Sequence, residues 1–189
     1  MNSCDPPTVA VLMVIFTVKD DKLRILLIRR SADPEKGSWL FLSEIITSLS
    51  LEPDLPQLDQ CGNCSLCLEA CPTDALREPY VLDSNRCLSY LTIELRGPIP
   101  KSQRPDIGTY VYGCDICQDV CPYNASPAQS TDPVWQPRPA FDNPTLEELW
   151  KCPDDILNEH LEDSAMSRAG VTGLRRNIAV ALGNSATSK

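Results

Sequence analysis

Ten cysteines stand in this chain of 189 residues, and most of them fall into two matching groups. The first reads Cys61-x2-Cys64-x2-Cys67-x3-Cys71-Pro72. The second reads Cys114-x2-Cys117-x3-Cys121-Pro122, with Cys87 as its first member, set back by an insertion at 88–113. Thiolates at two-residue intervals curl the backbone round one corner of an iron–sulfur cubane. A fourth, held off by three residues and a proline turn, points away to another cluster. The two groups therefore read as halves of a pseudo-repeat that binds two 4Fe–4S clusters. Crossing the fourth ligands gives Cys61, Cys64, Cys67 and Cys121 to one cluster, and Cys71, Cys87, Cys114 and Cys117 to the other. Zinc and disulfides are the competing readings. Zinc takes four ligands in one or two C-x2-C pairs and has no need of two Cys-Pro closures. Cys4 and Cys152 fit neither half and read as partly buried free thiols.

The spacing is that of the bacterial ferredoxin run, and the elements around it suit a small α+β domain. Asp74-Ala75-Leu76 opens a hairpin that Tyr80-Val81-Leu82 returns, and Asp83 or Ser84 can cap a helix carrying Cys87. Leu76, Tyr80, Val81, Leu82, Ile93, Ile116 and Val120 are candidates for the apolar wrapping that tunes a cluster's potential. Upstream, Thr8–Val18 and Leu23–Arg30 read as a strand pair joined by the polar turn 19–22. Downstream, prolines 127, 133, 137 and 139 mark an extended linker. Thr145-Leu146-Glu147-Glu148 is a capping box opening a helix that ends near Lys151. A second helix spans Asp155–Glu162. A third carries Leu174, Ile178 and Leu182, with Gly183-Asn184 as its stop. His160 reads as a surface helix residue. The expected fold class is α+β: a ferredoxin-like 4Fe–4S dicluster domain with an N-terminal β-strand pair and a short helical C-terminal tail. The expected boundaries are 1–36, 37–126, 127–143 and 144–189.

Composition narrows the setting. Hydrophobic residues make up 42% of the chain, and 17 prolines against 8 glycines argue for a loop-rich protein. The net charge of −9 disfavours long-range attraction to nucleic acid, though a local basic contact is compatible with it. No secretory pattern is visible at residues 1–7, and the apolar run at 9–18 is too short for a membrane span. A cytoplasmic setting follows, with no membrane partner. Clustered cysteines there mean metal or redox chemistry first.

The insertion, Leu88–Gly113, is more than an ordinary ferredoxin needs. Here the chain resembles epoxyqueuosine reductase. The resemblance is carried by GSWLFLSEI (37–45), LEPD (51–54), CGNCSLCLEACPTDAL (61–76), EPYVLDSNRCLSYLTIELRGPIP (78–100), YGCDICQDVCPYN (112–124) and SAMSRAGVTGLRRNIAVALGN (164–184). The most discriminating phrase is SYLTIE after a cluster cysteine. The resemblance implies two 4Fe–4S clusters, cobalamin, and reduction of the epoxide of epoxyqueuosine in tRNA. It implies that Ser89, Tyr90 and Asp115 approach cobalamin and that 91–95 lies near the tRNA-binding face. Arg168, Arg175 and Arg176, with Arg86 and Arg96, are candidates for phosphate contacts; a solvated helix face is the plainer reading.

That family's cobalamin domain precedes the first cluster motif, and residues 1–36 do not resemble it. Residues 8–39 resemble instead the opening strands of a Nudix hydrolase, but the glycine and glutamate pattern of the Nudix box does not follow. Hydrolysis of nucleotide pyrophosphates is therefore not expected. The expected function is that of the electron-transfer part of an epoxyqueuosine reductase, with a redox partner protein, tRNA, and a separate chain carrying the cobalamin domain. The alternative is a stand-alone dicluster electron carrier. Clusters that only hold the fold together are a further reading.

Overall fold

The computed structural model describes residues 10–19, 22–27, 40–47, 61–126 and 137–187; for the first three segments it describes the backbone alone. The chain divides into two compact units, Met1–Cys64 with Gln118–Gln136, and Ser65–Cys117 with Pro137–Lys189.

In the first unit, β1 (Ala10–Lys19) pairs antiparallel with β2 (Lys22–Leu27), with Val14 opposite Leu27 and Lys19 opposite Lys22. This is the expected strand pair, with bounds shifted by one to three residues. A third strand, β3 (Leu40–Thr47), lies parallel to β1 on its other edge, giving the order β2-β1-β3. The apolar residues of LFLSEII were its signal; the sequence reading passed over it as part of the cysteine-rich segment. Residues 61–64 form a turn in which the Cys64 N–H donates to the Cys61 carbonyl at 3.0 Å. Gly62 takes φ +53° there, a conformation that glycine adopts at no steric cost.

The second unit is mostly helical with a two-stranded sheet. A short helix, α1 (Leu66–Ala70), leads to the hairpin of β4 (Leu76–Glu78) and β5 (Val81–Leu82). Tyr80 turns that hairpin at φ +66°. Asp83 accepts the Asn85 N–H at 3.1 Å, but what it caps is a single 3-10 turn, Ser84–Arg86, and not a longer helix. Beyond Cys87 the chain makes a π-helical turn at Tyr90–Glu94, closed by the Leu95 N–H on the Tyr90 carbonyl at 3.0 Å. A further short helix, α2 (Ile116–Asp119), begins in this unit and ends among the residues assigned to the first.

The later helices are α3 (Leu146–Lys151), α4 (Asp154–Leu161) and α5 (Gly170–Thr187). The Thr145–Glu148 capping box closes as expected. Thr145 Oγ1 accepts the Glu148 N–H at 3.2 Å, and Glu148 Oε2 accepts the Thr145 N–H at 2.8 Å. Most of the expected linker, 127–136, lies outside the described residues, and Pro139–Phe141 forms a 3-10 turn. Gly183-Asn184 does not stop the last helix, which runs on to Thr187. The Asn184 amide instead donates to the carbonyls of Arg104 at 2.8 Å and Gly108 at 2.9 Å.

Two apolar clusters hold this unit. Leu88, Leu91, Ile99 and Ile107 are buried together, with Val180 of α5 against them. Leu157, Leu161, Leu174 and Ile178 form the other. Each such side chain contributes roughly 1.5–3 kcal/mol by leaving water. The apolar face of α5 is thus covered from within the unit. Among the described residues no helix is long and apolar enough to cross a membrane.

Candidate iron–sulfur centre

Three of the cluster cysteines share one local device. Cys71, Cys87 and Cys121 each follow a helical turn and donate their N–H three residues back, to Leu68, Ser84 and Gln118. Each then turns extended, at φ/ψ of −68°/114°, −69°/125° and −71°/122°. Proline after Cys71 and Cys121 disfavours the helical region for the residue before it, which explains two of the three. Cys71 and Cys121, the closing cysteines of the two runs, thus share one backbone conformation.

In the second unit Cys114 lies within electrostatic reach of Cys87 and Cys71, and Cys117 of Cys114 and Cys87. Burial pushes the Cys114 thiol up, and the neighbouring charges of Cys87, Asp115 and Cys71 push it further. Cys117 is raised by burial and then by Cys114 and Cys87. Cys71 goes the other way. Partial burial opposes ionisation, but N–H groups of Thr73, Leu76 and Ala75 outweigh it, the last at 3.3 Å from the sulfur. A positively charged iron core would offset the burial that opposes ionisation of Cys114 and Cys117. Among the described residues no three His, Cys, Asp or Glu side chains are grouped to hold one metal ion. A cubane takes one thiolate per iron, so its ligands need not converge on one point. None of the nine described cysteines is in a disulfide.

Of the other cluster's expected ligands, Cys61 and Cys64 are exposed, and Cys67 and Cys121 are partly buried. Cys61, Cys64 and Cys121 belong to the first unit and Cys67 to the second.

The expected wrapping is only partly met. Ile93, Ile116 and Val120 are half-buried, but Tyr80, Val81 and Leu82 are 76%, 44% and 53% exposed. A two-residue strand paired on one side leaves its outward face to solvent.

Ser89 Oγ accepts the Cys114 N–H at 3.0 Å and lies 3.2 Å from the Cys114 carbonyl, to which it donates. Tyr90 packs against the Leu88–Ile107 cluster, and Asp115 is exposed. Arg175 donates to carbonyls of Leu149, Trp150 and Cys152, where α3 ends, and pairs with Asp154 at 2.8 Å. Arg176 donates to the carbonyls of Leu91, Leu95 and Gly97. These two arginines are internal clamps and not a solvated face. Their signal in the sequence was position alone, Arg175-Arg176-Asn177 ahead of an apolar run. Arg168 is exposed and paired with Glu94, and Arg86 pairs with Asp74 at 3.8 Å. Arg96 donates to the Arg168 carbonyl at 2.7 Å. His160 is partly buried and meets Phe141 edge-on, with ring centres 6.2 Å apart.

Residues 60–124 match a family profile described as a 4Fe-4S double cluster binding domain. The cysteine arrangement and this match define a 4Fe–4S dicluster protein. Its homologues are epoxyqueuosine reductases. The enzyme of Salmonella typhimurium is 45% identical over 150 residues, which are 79% of this chain and 39% of that protein. The enzyme of Synechocystis is 46% identical over 143 residues, 75% of this chain and 50% of the relative. Among solved structures, an epoxyqueuosine reductase crystallised with an epoxyqueuosine-modified tRNA-Tyr stem loop superposes with a TM-score of 0.64 at 38% identity. It covers 70% of this chain and 35% of its own. The Streptococcus thermophilus enzyme gives 0.62 at 35% identity, with 72% and 36% covered. The chain thus spans half or less of the length of these relatives. None of these matches supports the Nudix resemblance of residues 8–39.

Proposed function

We propose that residues 37–184 are the cluster-bearing, electron-transferring part of an epoxyqueuosine reductase-type oxidoreductase. The observation that supports this reading is the match of residues 60–124, which hold all eight cysteines, to a double cluster binding domain, with Ser89 and Cys114 hydrogen-bonded across the insertion that a simple carrier does not need. These four would hold one 4Fe–4S cluster, and Cys61, Cys64, Cys67 and Cys121 the other. Each cluster, when bound, supplies one-electron transfer. The chain's own part is to hold the thiolates and to direct N–H groups of Thr73, Leu76 and Ala75 at the partly buried Cys71 sulfur.

The substrate under this reading is epoxyqueuosine in tRNA, by analogy with the relatives, and a redox protein is the electron source. Arg96 shares a cleft of about 340 Å3 with Thr172 and Arg176 and is the cation best placed for an RNA phosphate. Ser89, Tyr90 and Asp115 are the residues that the resemblance sets against cobalamin. The Ser89 hydroxyl is engaged with the backbone of Cys114 and Tyr90 lies on the core, so no step is derived through that cofactor. Asp115 is the residue we assign to face it if it binds.

The test is anaerobic loading with iron and sulfide, followed by titration with cobalamin watched by its absorption. Turnover of epoxyqueuosine-modified stem loop is then assayed with the remaining reductase sequence supplied. About eight irons with a cobalamin spectral change supports the reading. Eight irons with no change and no turnover leaves an electron carrier.

A further inference from the structure

We infer that helix α5 is part of the cluster site: Asn177, through Thr92 and Ser89, positions the backbone that carries Cys87 and Cys114. This rests on the dicluster reading above and adds a role for a helix that bears no ligand. The chain of contacts is continuous. Asn177 is fully buried and donates both amide protons, to the Thr92 carbonyl at 2.7 Å and the Val111 carbonyl at 2.8 Å. It thereby joins the segment following Cys87 to the segment preceding Cys114. Its own oxygen accepts from Arg176, whose guanidinium also takes three carbonyls of residues 91–97.

Thr92 is also fully buried. Its hydroxyl donates to the Leu88 carbonyl at 2.7 Å and accepts the Gly113 N–H at 3.0 Å. Three residues before Thr92, Ser89 repeats the link with Cys114. The side chains at 89 and 92 thus tie two consecutive residues, Gly113 and Cys114, to the turn that follows Cys87. The π-helical turn is the adjustment that brings this about. A turn closing on the fifth residue carries one residue more than an α-turn, and such turns recur at functional sites. Gly113 at φ +72° completes the approach, since a side chain there would be strained.

None of Ser89, Thr92, Arg176 and Asn177 is a proposed cluster ligand, so these are positioning residues. Their loss should act on the cluster of Cys71, Cys87, Cys114 and Cys117 and spare the other. The experiment uses the full chain, loaded anaerobically and reduced, with the two cluster signals separated by electron paramagnetic resonance. Cys117→Ala and Cys64→Ala identify which signal belongs to which set. Ser89→Ala is expected to shift or abolish the signal that Cys117→Ala removes, and Ser89→Thr, which keeps the hydroxyl, to restore it. Asn177→Ala should act in the same direction and more strongly. Asn184→Ala breaks an equivalent amide clamp away from the ligands and should leave both signals in place. Should Asn177→Ala fail to fold, the Ser89 pair decides. Unchanged signals in Ser89→Ala, or equal loss of both, overturn the inference alone. A parent chain with fewer than about eight irons overturns the dicluster reading beneath it as well.

Discussion

Two connections link successive members of the Cys71, Cys87, Cys114 and Cys117 set, and they are built on opposite principles. The connection between Cys71 and Cys87 buries Thr73 and Ala75 at its start, but the returning half of its hairpin, Tyr80, Val81 and Leu82, faces solvent. The insertion between Cys87 and Cys114 contains a core of its own, with Leu91, Ile99 and Ile107 all at most 2% exposed, and α5 reaches in to hold its carbonyls. Cysteine spacing separates the two only by length, residues 72–86 against 88–113. The difference is that the hairpin is short enough to satisfy its backbone by itself. The longer insertion must bury both its apolar residues and its unpaired carbonyls against something.

This contrast orders the expected effects. The largest is at the ligands: Cys117→Ala should lower iron from about eight to about four per chain, counted against protein after anaerobic loading. Equal retention would mean that the four cysteines do not share a cluster. Next comes the insertion core. Ile107→Ala should cost about 2–5 kcal/mol, as buried large-to-small changes do, measured by denaturant unfolding of the loaded chain. A cost near that of a surface change would remove the claim that the insertion is a folded core.

Thr145→Ala, outside both connections, should cost about 1 kcal/mol for a lost helix cap. Hydrogen bonds from the Thr145 N–H and hydroxyl hold the Glu148 carboxyl below its ordinary range. The cap's contribution is therefore full above the unfolded carboxylate's pKa and is lost as pH falls through the lower folded value. The variant should unfold with less acid sensitivity in that window. Smallest of all, Leu82→Ser on the hairpin should change stability by less than about 0.5 kcal/mol. A loss as large as that of Ile107→Ala would show that the hairpin is covered in the working protein.

Much of this was legible in the sequence. The cysteine groups, the hairpin, the strand pair and the Thr145 cap are local patterns, fixed by spacing, turn residues or one hydrogen-bonding pair. What was not legible is what depends on tertiary partners. Arg175 and Arg176 read as surface residues and Asn184 as a stop, and Asn177 gave no signal, because their partners are carbonyls far away in the chain. The run Leu91–Leu95 read as an ordinary helix because the demand for a π-turn comes from Gly113 and Cys114. The hairpin was read as wrapping because apolar side chains near a metal look protective, yet a two-residue strand has no second layer to lie against.

The central claim is that Cys71 leaves its own run and joins the later three cysteines. The most direct measurement is the electron paramagnetic resonance of reduced Cys71→Ala beside Cys64→Ala and Cys117→Ala. Crossed ligation predicts that Cys71→Ala loses the signal lost in Cys117→Ala and keeps the one lost in Cys64→Ala. Loss of the Cys64 signal instead would contradict it.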